Sequence, residues 1–276
     1  MTKNIILTFR KKKREGKKLT MLTAYDYTMA RIIDAGQVDA ILVGDSLGNV
    51  MLGYADTVSV TMDDMVHHCA AVSRAASHAL VVGDMPFMSF QTSVEEALHN
   101  AGRLMKEGRV NAVKLEGGHR VCPQIKAMVQ AGIPVMAHLG LTPQSVNAIG
   151  GYRVAGRTKD KAELLLEESL AVQDAGAFSL VLECVPTRLA SLITRRLDIP
   201  VIGIGSGNGC DGQVLVTQDM LGMSADFTPK FVKVFAPVGD AMRKAVADYI
   251  QAVESCEFPE EQHGFAIDDE AIEGLY

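Results

Sequence analysis

Short apolar runs alternate with longer amphipathic stretches along almost the whole chain. The apolar runs are rich in Val, Ile and Leu and mostly lack polar alternation, which is typical of strands covered on both faces. They predict strands at 19–23, 40–44, 79–83, 112–116, 134–137, 179–183, 200–204 and 231–235. The amphipathic stretches predict helices at 28–35, 61–78, 93–107, 122–131, 159–175, 187–196, near 213–221 and at 237–255.

The same ending closes three of the predicted helices. Each has an Ala-Gly pair, at Ala35-Gly36, Ala131-Gly132 and Ala175-Gly176, and each pair is followed by a predicted strand. Glycine just after the last helical residue is a common helix terminus. The repeated β-α unit, found eight times, predicts a single-domain α/β protein with the (β/α)8 TIM barrel fold.

We expect the barrel to span 1–257, beginning with a short N-terminal helical segment, and to be followed by a C-terminal tail at 258–276. An open doubly wound sheet is the alternative. The glycines of 203–207 give it little support, because they lack the full G-x-G-x-x-G spacing. Two strand-to-helix connections, 46–60 and 140–158, are long, and we expect them to be binding loops, whether or not they close on a substrate.

Composition narrows the function classes. The 276 residues suffice for one barrel, which needs about 250. With 27 Lys and Arg against 33 Asp and Glu, the net charge of −6 indicates no nucleic-acid partner, and the basic run 11–14 is expected to be the solvated end of a helix. Five cysteines without a C-x-x-C pair favour a reducing compartment. No apolar stretch has the length of a signal peptide or membrane span, so we expect a cytoplasmic protein without a membrane partner.

Polar residues that could perform chemistry stand at or near the ends of five apolar runs. They are Asp45, Asp84, the pair Lys114 and Glu116, His138, and Glu183. If the runs are parallel strands of one barrel, these side chains meet at the rim where such barrels keep their active sites. Lys114 and Glu116 lie two apart on a strand, so both point to the same side, and the barrel interior is the side that suits their charges.

This set of groups favours a metal-assisted reaction of a keto acid. Crowded carboxylates repel one another unless a cation lies between them. Oxygen ligands without a Cys or His pair suit Mg²⁺ or Mn²⁺ better than zinc. An α-keto acid could chelate that ion, and the ion and Lys114 would stabilise an enolate. Glu183, on a different strand, is a candidate base, and His138 is a candidate to orient the metal-binding carboxylates without binding the ion itself.

Each residue taken singly has a simpler explanation. Asp45 with Ser46 could cap a helix, the Lys114 and Glu116 pair could be a salt bridge, and His138 could hydrogen-bond to the backbone. Four carboxylates and a lysine on the ends of four strands are harder to explain as caps. The combination therefore favours an enzyme.

Several motifs at these positions resemble the ketopantoate hydroxymethyltransferase family. They are Leu-Thr-Ala-Tyr-Asp at 22–26, Val-Gly-Asp-Ser-Leu-Gly at 43–48, Gly-Asp-Met-Pro-Phe at 83–87, Val-Lys-Leu-Glu-Gly-Gly at 113–118, His-Leu-Gly-Leu-Thr-Pro-Gln at 138–144, Gly-Gly-Tyr at 150–152 and Cys-Asp-Gly-Gln at 210–213. The likeness extends from about residue 20 to 237 in the family's order. Ser206 and Leu139 depart from the usual family pattern.

The resemblance implies a (β/α)8 barrel that assembles as a homo-oligomer, a decamer. It implies transfer of a hydroxymethyl group from 5,10-methylenetetrahydrofolate to 3-methyl-2-oxobutanoate, which gives 2-dehydropantoate for pantothenate and coenzyme A. The roles it implies are metal ligands at Asp45, Asp84 and Glu116, keto-acid contacts at Asp45, Ser46, Asp84 and Lys114, and the proton acceptor at Glu183.

Two other functions stay open at this point. One is a different magnesium-dependent barrel enzyme for α-keto acids or enolpyruvates, a carbon–carbon lyase or a mutase. The chain lacks the Lys-Lys-Cys-Gly-His segment of isocitrate-type lyases. The other is a non-catalytic binding barrel, which would require the rim carboxylates to be structural.

Overall fold

The fold is a closed barrel of eight parallel strands. The computed structural model describes residues 2–151, 153–223 and 228–275. Each strand pairs with its neighbours in the sequence, and the last pairs with the first. The strands are β1 (Leu19–Thr23), β2 (Ala40–Val43), β3 (Leu80–Asp84), β4 (Ala112–Glu116), β5 (Val135–Gly140), β6 (Ser179–Glu183), β7 (Val201–Ile204) and β8 (Gly212–Leu215). The predicted (β/α)8 TIM barrel is confirmed.

Helices follow the strands and fill the connections. They are α1 (Ile6–Arg14), α2 (Tyr27–Ala35), α3 (Leu47–Val50), α4 (Met62–Ala75), α5 (Val94–Lys106), α6 (Cys122–Gln130), α7 (Val146–Ile149), α8 (Lys159–Asp174), α9 (Thr187–Arg196), α10 (Thr217–Met220), α11 (Val238–Glu254) and α12 (Asp269–Ile272). Short 3₁₀ turns lie at His119–Val121, Pro143–Ser145 and Glu261–His263. The long connections 46–60 and 140–158 thus contain α3 and α7. Within the described residues, no helix has both the length and the apolar character to cross a bilayer.

The chain divides into two compact units. The first contains the residues up to Thr217 together with Thr228–Val232, and it holds all eight strands. The second contains, among the described residues, 218–223 and 233–275, and α11 is its longest helix there. The division at residue 257 expected from the sequence stays a prediction.

The prediction of the eighth strand at 231–235 is wrong. β8 lies at Gly212–Leu215 and takes up the first part of the helix expected near 213–221, of which only α10 at Thr217–Met220 is helical. A Cβ at position 212 would lie 2.6 Å from the Leu19 carbonyl oxygen and 2.7 Å from Ile202, so glycine lets the last strand close against the first. Residues 231–235 form no strand, and Phe235 is 62% exposed. The strand at 231–235 was predicted from its apolar residues alone. Closure of the barrel depends instead on the close approach of the β8 backbone to β1, which glycine permits.

Alternate residues of each strand face the barrel interior. In β3, Leu80 and Val82 belong to the apolar core inside the barrel, while Val81 packs in the separate core beneath the helices. Phe9 of α1 joins the inner core and contacts Phe178 edge to face, with ring centroids 5.6 Å apart. The period of two continues along the strands, so Asp84 follows Leu80 and Val82 on the inward side.

The basic N-terminal helix is anchored by ion pairs. Lys12 Nζ lies 2.5 Å from Asp39 Oδ1, and Lys13 Nζ lies 2.7 Å from Asp211 Oδ2. Both carboxylates belong to the segments that lead into strands. Two lysines of the basic run therefore hold α1 against the barrel.

Asp34, at the end of α2, connects that helix to the start of β3. Its buried carboxylate accepts hydrogen bonds from the backbone N–H groups of Ser77, His78 and Ala79, at 2.8–3.1 Å, and from the Ser77 hydroxyl. Burial acts to raise the pKa of Asp34, but these donors, first of all Ala79, hold it below its ordinary value. The ionised carboxylate thus stabilises the fold.

We expect Asp34→Asn to lower the free energy of unfolding at pH 7 by about 1.5–3 kcal/mol, because an amide cannot accept all these bonds. The stabilisation by Asp34 is present above its unfolded-state pKa and is lost as the pH falls through its lowered folded-state pKa. Urea denaturation at pH 7 and at successively lower pH should therefore show the difference from the wild type shrinking. Asp160→Asn, at an exposed position, is the control, and an equal loss at every pH would contradict the assignment.

Candidate active site

The polar residues at the strand ends come together at one rim of the barrel. The register aligns Asp84 with Lys114, Glu116 with His138, and Gly140 with Glu183. All five side chains follow the inward period of their strands. The expectation that Lys114 and Glu116 point inward is confirmed, since Ala112 of the same strand belongs to the inner core whereas Val113 and Leu115 pack beneath the helices.

A buried ion pair lies at the centre of this rim. Lys114 Nζ is 2.6 Å from Asp84 Oδ2, and both side chains are almost completely buried. Burial opposes a charge on Lys114, but the surrounding carboxylates, first of all Asp84, raise the pKa of its ammonium above the ordinary value. Lys114 therefore remains charged inside the protein.

Asp45, just beyond β2, completes the acidic group. Burial, together with the nearby Asp84 and Glu116 carboxylates, raises the pKa of Asp45 to about 8. Three carboxylates surround the Lys114 ammonium here, so Asp45 takes up a proton more readily than an isolated carboxylate unless a further cation lies nearby. The next residue, Ser46, has its Oγ 2.8 Å from the Tyr25 hydroxyl.

His138 lies between two of the predicted carboxylates. Its Nδ1 is 3.4 Å from Glu116 Oε1, and its Nε2 is 3.3 Å from Glu183 Oε2, although without the alignment of a hydrogen bond. Burial and the Lys114 ammonium, whose Nζ lies 3.5 Å from His138 Nδ1, act to lower the pKa of His138, but Glu116 and Glu183 outweigh them and raise it to about 9. An imidazolium would balance both carboxylates, and it connects Glu183 to the acidic group.

Gln144 is a site residue for which no role was predicted from the sequence. Its Nε2 donates to Asp45 Oδ2 and to the Met85 carbonyl, both at 2.9 Å, and its backbone N–H donates to Glu116 Oε2 at 3.2 Å. One residue of the 140–158 connection thus holds carboxylates from two different strands. Its place in the Thr-Pro-Gln motif directly after β5 was the available signal, but the direction of its side chain depends on the loop.

The donor set fits a hard divalent cation. Asp84 Oδ1 is buried without a hydrogen-bond partner, which leaves a carboxylate oxygen free to bind an ion. Within the described residues, no three His, Cys, Asp or Glu side chains form a complete cluster that would hold a metal by themselves. Mg²⁺ needs no such cluster, because it normally retains several waters and binds one or two carboxylates together with substrate oxygens.

A cavity of about 620 Å³ adjoins this group on the Glu116 side. Its walls come from three parts of the chain. They are the glycines after β4 (Gly117 and Gly118), residues between 139 and 148 at the end of β5 and beyond it, and α8. Leu139 and Leu165 give it apolar surface, whereas Gln124, Gln144 and Glu168 supply polar groups. Its size lies within the range of small-molecule sites.

Comparison with known proteins decides the family. The family model for ketopantoate hydroxymethyltransferase matches residues 3–261. The chain belongs to the ketopantoate hydroxymethyltransferase family. The family consists of transferases, and its name describes hydroxymethyl transfer to a keto acid. The similarity to this family noted from the motifs is thereby confirmed, as is the prediction of an enzyme.

Close relatives within the ketopantoate hydroxymethyltransferase family match over the full length. The chain is 59% identical to the 3-methyl-2-oxobutanoate hydroxymethyltransferase of Enterococcus faecalis over 274 residues, covering 99% of this chain and all of that one. It is 58% identical to the enzyme of that name from Clostridium novyi, with the same coverage.

More distant solved structures share the fold alone. Phosphonopyruvate hydrolase in complex with oxalate and Mg²⁺ aligns with a TM-score of 0.61 at 12% identity, covering 99% of this chain and 94% of that one. A 2,3-dimethylmalate lyase of the PEP mutase/isocitrate lyase superfamily aligns with a TM-score of 0.56 at 17% identity, covering 96% and 90%.

We expect Gln144→Ala to reduce hydroxymethyltransferase activity by about 10–100-fold, because Asp45 and Glu116 would lose the group that orients them. A steady-state assay on the purified variant measures this, and a thermal melt shows whether the fold survives. Asn147→Ala, at an exposed position of the same connection, is the matched control. Activity equal to that of the control would show that Gln144 does not orient the carboxylates.

Proposed function

We propose that this site transfers a hydroxymethyl group from 5,10-methylenetetrahydrofolate to 3-methyl-2-oxobutanoate, giving 2-dehydropantoate for pantothenate and coenzyme A biosynthesis. The convergence of Asp45, Asp84, Lys114, Glu116 and Glu183 on one rim carries the proposal. The family membership supports it over a lyase or mutase reaction, since those structures share only the fold.

The keto acid binds against the acidic group. Asp45, Asp84 and Glu116 would hold Mg²⁺ or Mn²⁺, in part through waters that the ion retains, and Asp45, Ser46, Asp84 and Lys114 contact the substrate. When bound, the ion supplies positive charge at the substrate's carboxylate and ketone oxygens, which acidifies the neighbouring C–H. The free Asp84 Oδ1 and the oxygen-only donor set support the ion.

Lys114 places an ammonium beside the oxygen where negative charge develops. In a site shielded from water, such a charge stabilises an enolate far more than it would in solution. Its ion pair with Asp84 keeps it protonated and fixed in place. Lys114 therefore needs no rearrangement when the substrate loses its proton.

Glu183 is the base that removes the proton from C3 of the keto acid. It is partly exposed at the end of β6, and His138 lies against its carboxylate. The carbon nucleophile then forms a C–C bond to the one-carbon unit, and the two C–N bonds that hold this unit to N5 and N10 of the folate break. A water supplies the hydroxyl oxygen. Its second proton and the proton taken up by Glu183 go to the two folate nitrogens, so tetrahydrofolate leaves and Glu183 returns to its ionised form. His138 is proposed to orient Glu183 relative to Glu116.

The protein is further proposed to act in the cytoplasm as a homo-oligomer, a decamer, with small molecules as its substrates. Met242, Val246, Tyr249 and Val253 of α11 recur at helical spacing and are 43–60% exposed. A stripe of that kind is typical of a surface covered by another subunit. The net charge of −6 supports the absence of a nucleic-acid partner.

We expect Glu183→Gln to bind Mg²⁺ and the keto acid normally, but to exchange the C3 hydrogen with deuterated water about 10²–10⁴-fold more slowly than the wild type. Proton NMR of the keto acid, without folate, measures the exchange, and calorimetry measures binding. Glu167→Gln, at an exposed position, is the control. Exchange at the wild-type rate would exclude Glu183 as the base.

We expect Asp84→Asn to weaken binding of Mg²⁺ and of the keto acid together, each by about tenfold or more, because both are proposed to use this carboxylate. Calorimetric titration of each, with the other present or omitted, measures the two affinities. Circular dichroism tests the fold, and Asp160→Asn provides the control. Loss of one affinity without the other would mean that the ion does not connect the keto acid to the protein.

A further inference from the structure

The cavity beside Glu116 contains a carboxylate that the proposed keto-acid chemistry does not use. Glu168 of α8 lines its wall, together with Leu165 one turn earlier on the same helix. Among the residues that the structure describes, none makes a hydrogen bond or ion pair with the Glu168 carboxylate. A partly buried acid without a partner beside an active site is available to a ligand.

Gly118 provides the space for this carboxylate. A Cβ at position 118 would lie 2.2 Å from Glu168 Cδ and 2.3 Å from its Oε1. The carboxylate is therefore pressed against the backbone just beyond β4, two residues from Glu116. The absence of a side chain at Gly118 thus lets an acid from a distant helix approach the strand that carries Lys114 and Glu116.

A second hydrogen-bond acceptor lies on the cavity wall. Gln124 is 8% exposed, and its Nε2 donates to the Phe90 carbonyl at 3.2 Å. That bond fixes the orientation of the amide, and Oε1 has no partner among the described residues. The unused polar groups of Gln124 and Glu168 are both acceptors, so this part of the cavity suits a ligand rich in N–H donors.

Arg120 supplies the opposite charge. It lines the cavity from an exposed position, and within the described parts of the chain it has no ion pair or hydrogen bond. A guanidinium binds a carboxylate through two parallel hydrogen bonds. The cavity thus combines the acceptors of Gln124 and Glu168, the apolar walls of Leu139 and Leu165, and the exposed guanidinium of Arg120.

We propose that this cavity binds the reduced folate, with Glu168 pairing with the amino and ring N–H donors of the pteridine and Arg120 binding the glutamate carboxylates. This assignment rests on the proposed function, because it supplies the site for that reaction's second substrate. The 2-amino group and the adjacent N3–H present two parallel donors, which match a carboxylate as a guanidinium does. Since Glu116 lines the same cavity, a ring held there lies beside the keto-acid site.

Binding of tetrahydrofolate, which carries no one-carbon unit to transfer, tests the assignment directly. We expect Glu168→Gln to raise its dissociation constant in calorimetry by about tenfold to a hundredfold, because a charge-assisted pair is lost. The variant should retain the wild-type rate of C3 hydrogen exchange in the keto acid without folate. Glu167→Gln, on the exposed face of α8, is the matched control and should change neither quantity.

A pteridine without the glutamate tail tests the orientation. We expect 6-methyltetrahydropterin to bind more weakly to Glu168→Gln, and equally well to Arg120→Gln and the wild type. Tetrahydrofolate should bind more weakly to both variants. If the tailless pterin is affected by Arg120→Gln instead, the proposed orientation is wrong.

An unchanged tetrahydrofolate affinity in Glu168→Gln would overturn the proposal, as would a loss of keto-acid exchange equal to the loss of folate affinity. Failure of the proposed enolisation has a different signature. The wild type itself would then show no exchange of the C3 hydrogen, while its affinity for tetrahydrofolate would still report on Glu168.

Discussion

The buried pair of Lys114 and Asp84 is the interaction on which the rest of the site depends. Neither charge could be buried alone, and removal of one partner from such a pair typically costs about 3–5 kcal/mol. The 2.6 Å contact requires the ends of β3 and β4 to lie in their observed register. The same register brings Glu116 beside His138 on the next strand.

The Lys114 ammonium and the His138 ring together do not balance the four carboxylates of Asp45, Asp84, Glu116 and Glu183. The pKa of Asp45 is raised because too little positive charge lies nearby, and Asp84 Oδ1 has no hydrogen-bond partner among the described residues. A stable protein would avoid the arrangement unless another cation or a substrate relieved it, because repelling buried acids destabilise the fold. The repulsion among the buried carboxylates at the rim therefore favours binding of a cation or a substrate. This agrees with membership of a family whose name describes action on a keto acid.

Residues far away in the sequence complete the rim. Gln144 reaches back from the connection after β5 to hold Asp45, and Glu168 of α8 lies against Gly118. The cavity next to Glu116 results from these long-range approaches. The cavity lies beside the acidic group of Asp45, Asp84 and Glu116 without a separate domain, at the C-terminal face where barrels of this fold carry their active sites.

The sequence by itself determined the repeated β-α units, seven of the eight strands, and the acidic rim, because strand periodicity fixes which side chains face inward. Its family motifs also identified the transferase. Only the tertiary structure decided that Gly212–Leu215, and not 231–235, closes the barrel, and that Gln144 and Glu168 approach β2 and β4. Those outcomes depend on backbone close approach and loop direction, which no local pattern of apolar and polar residues encodes.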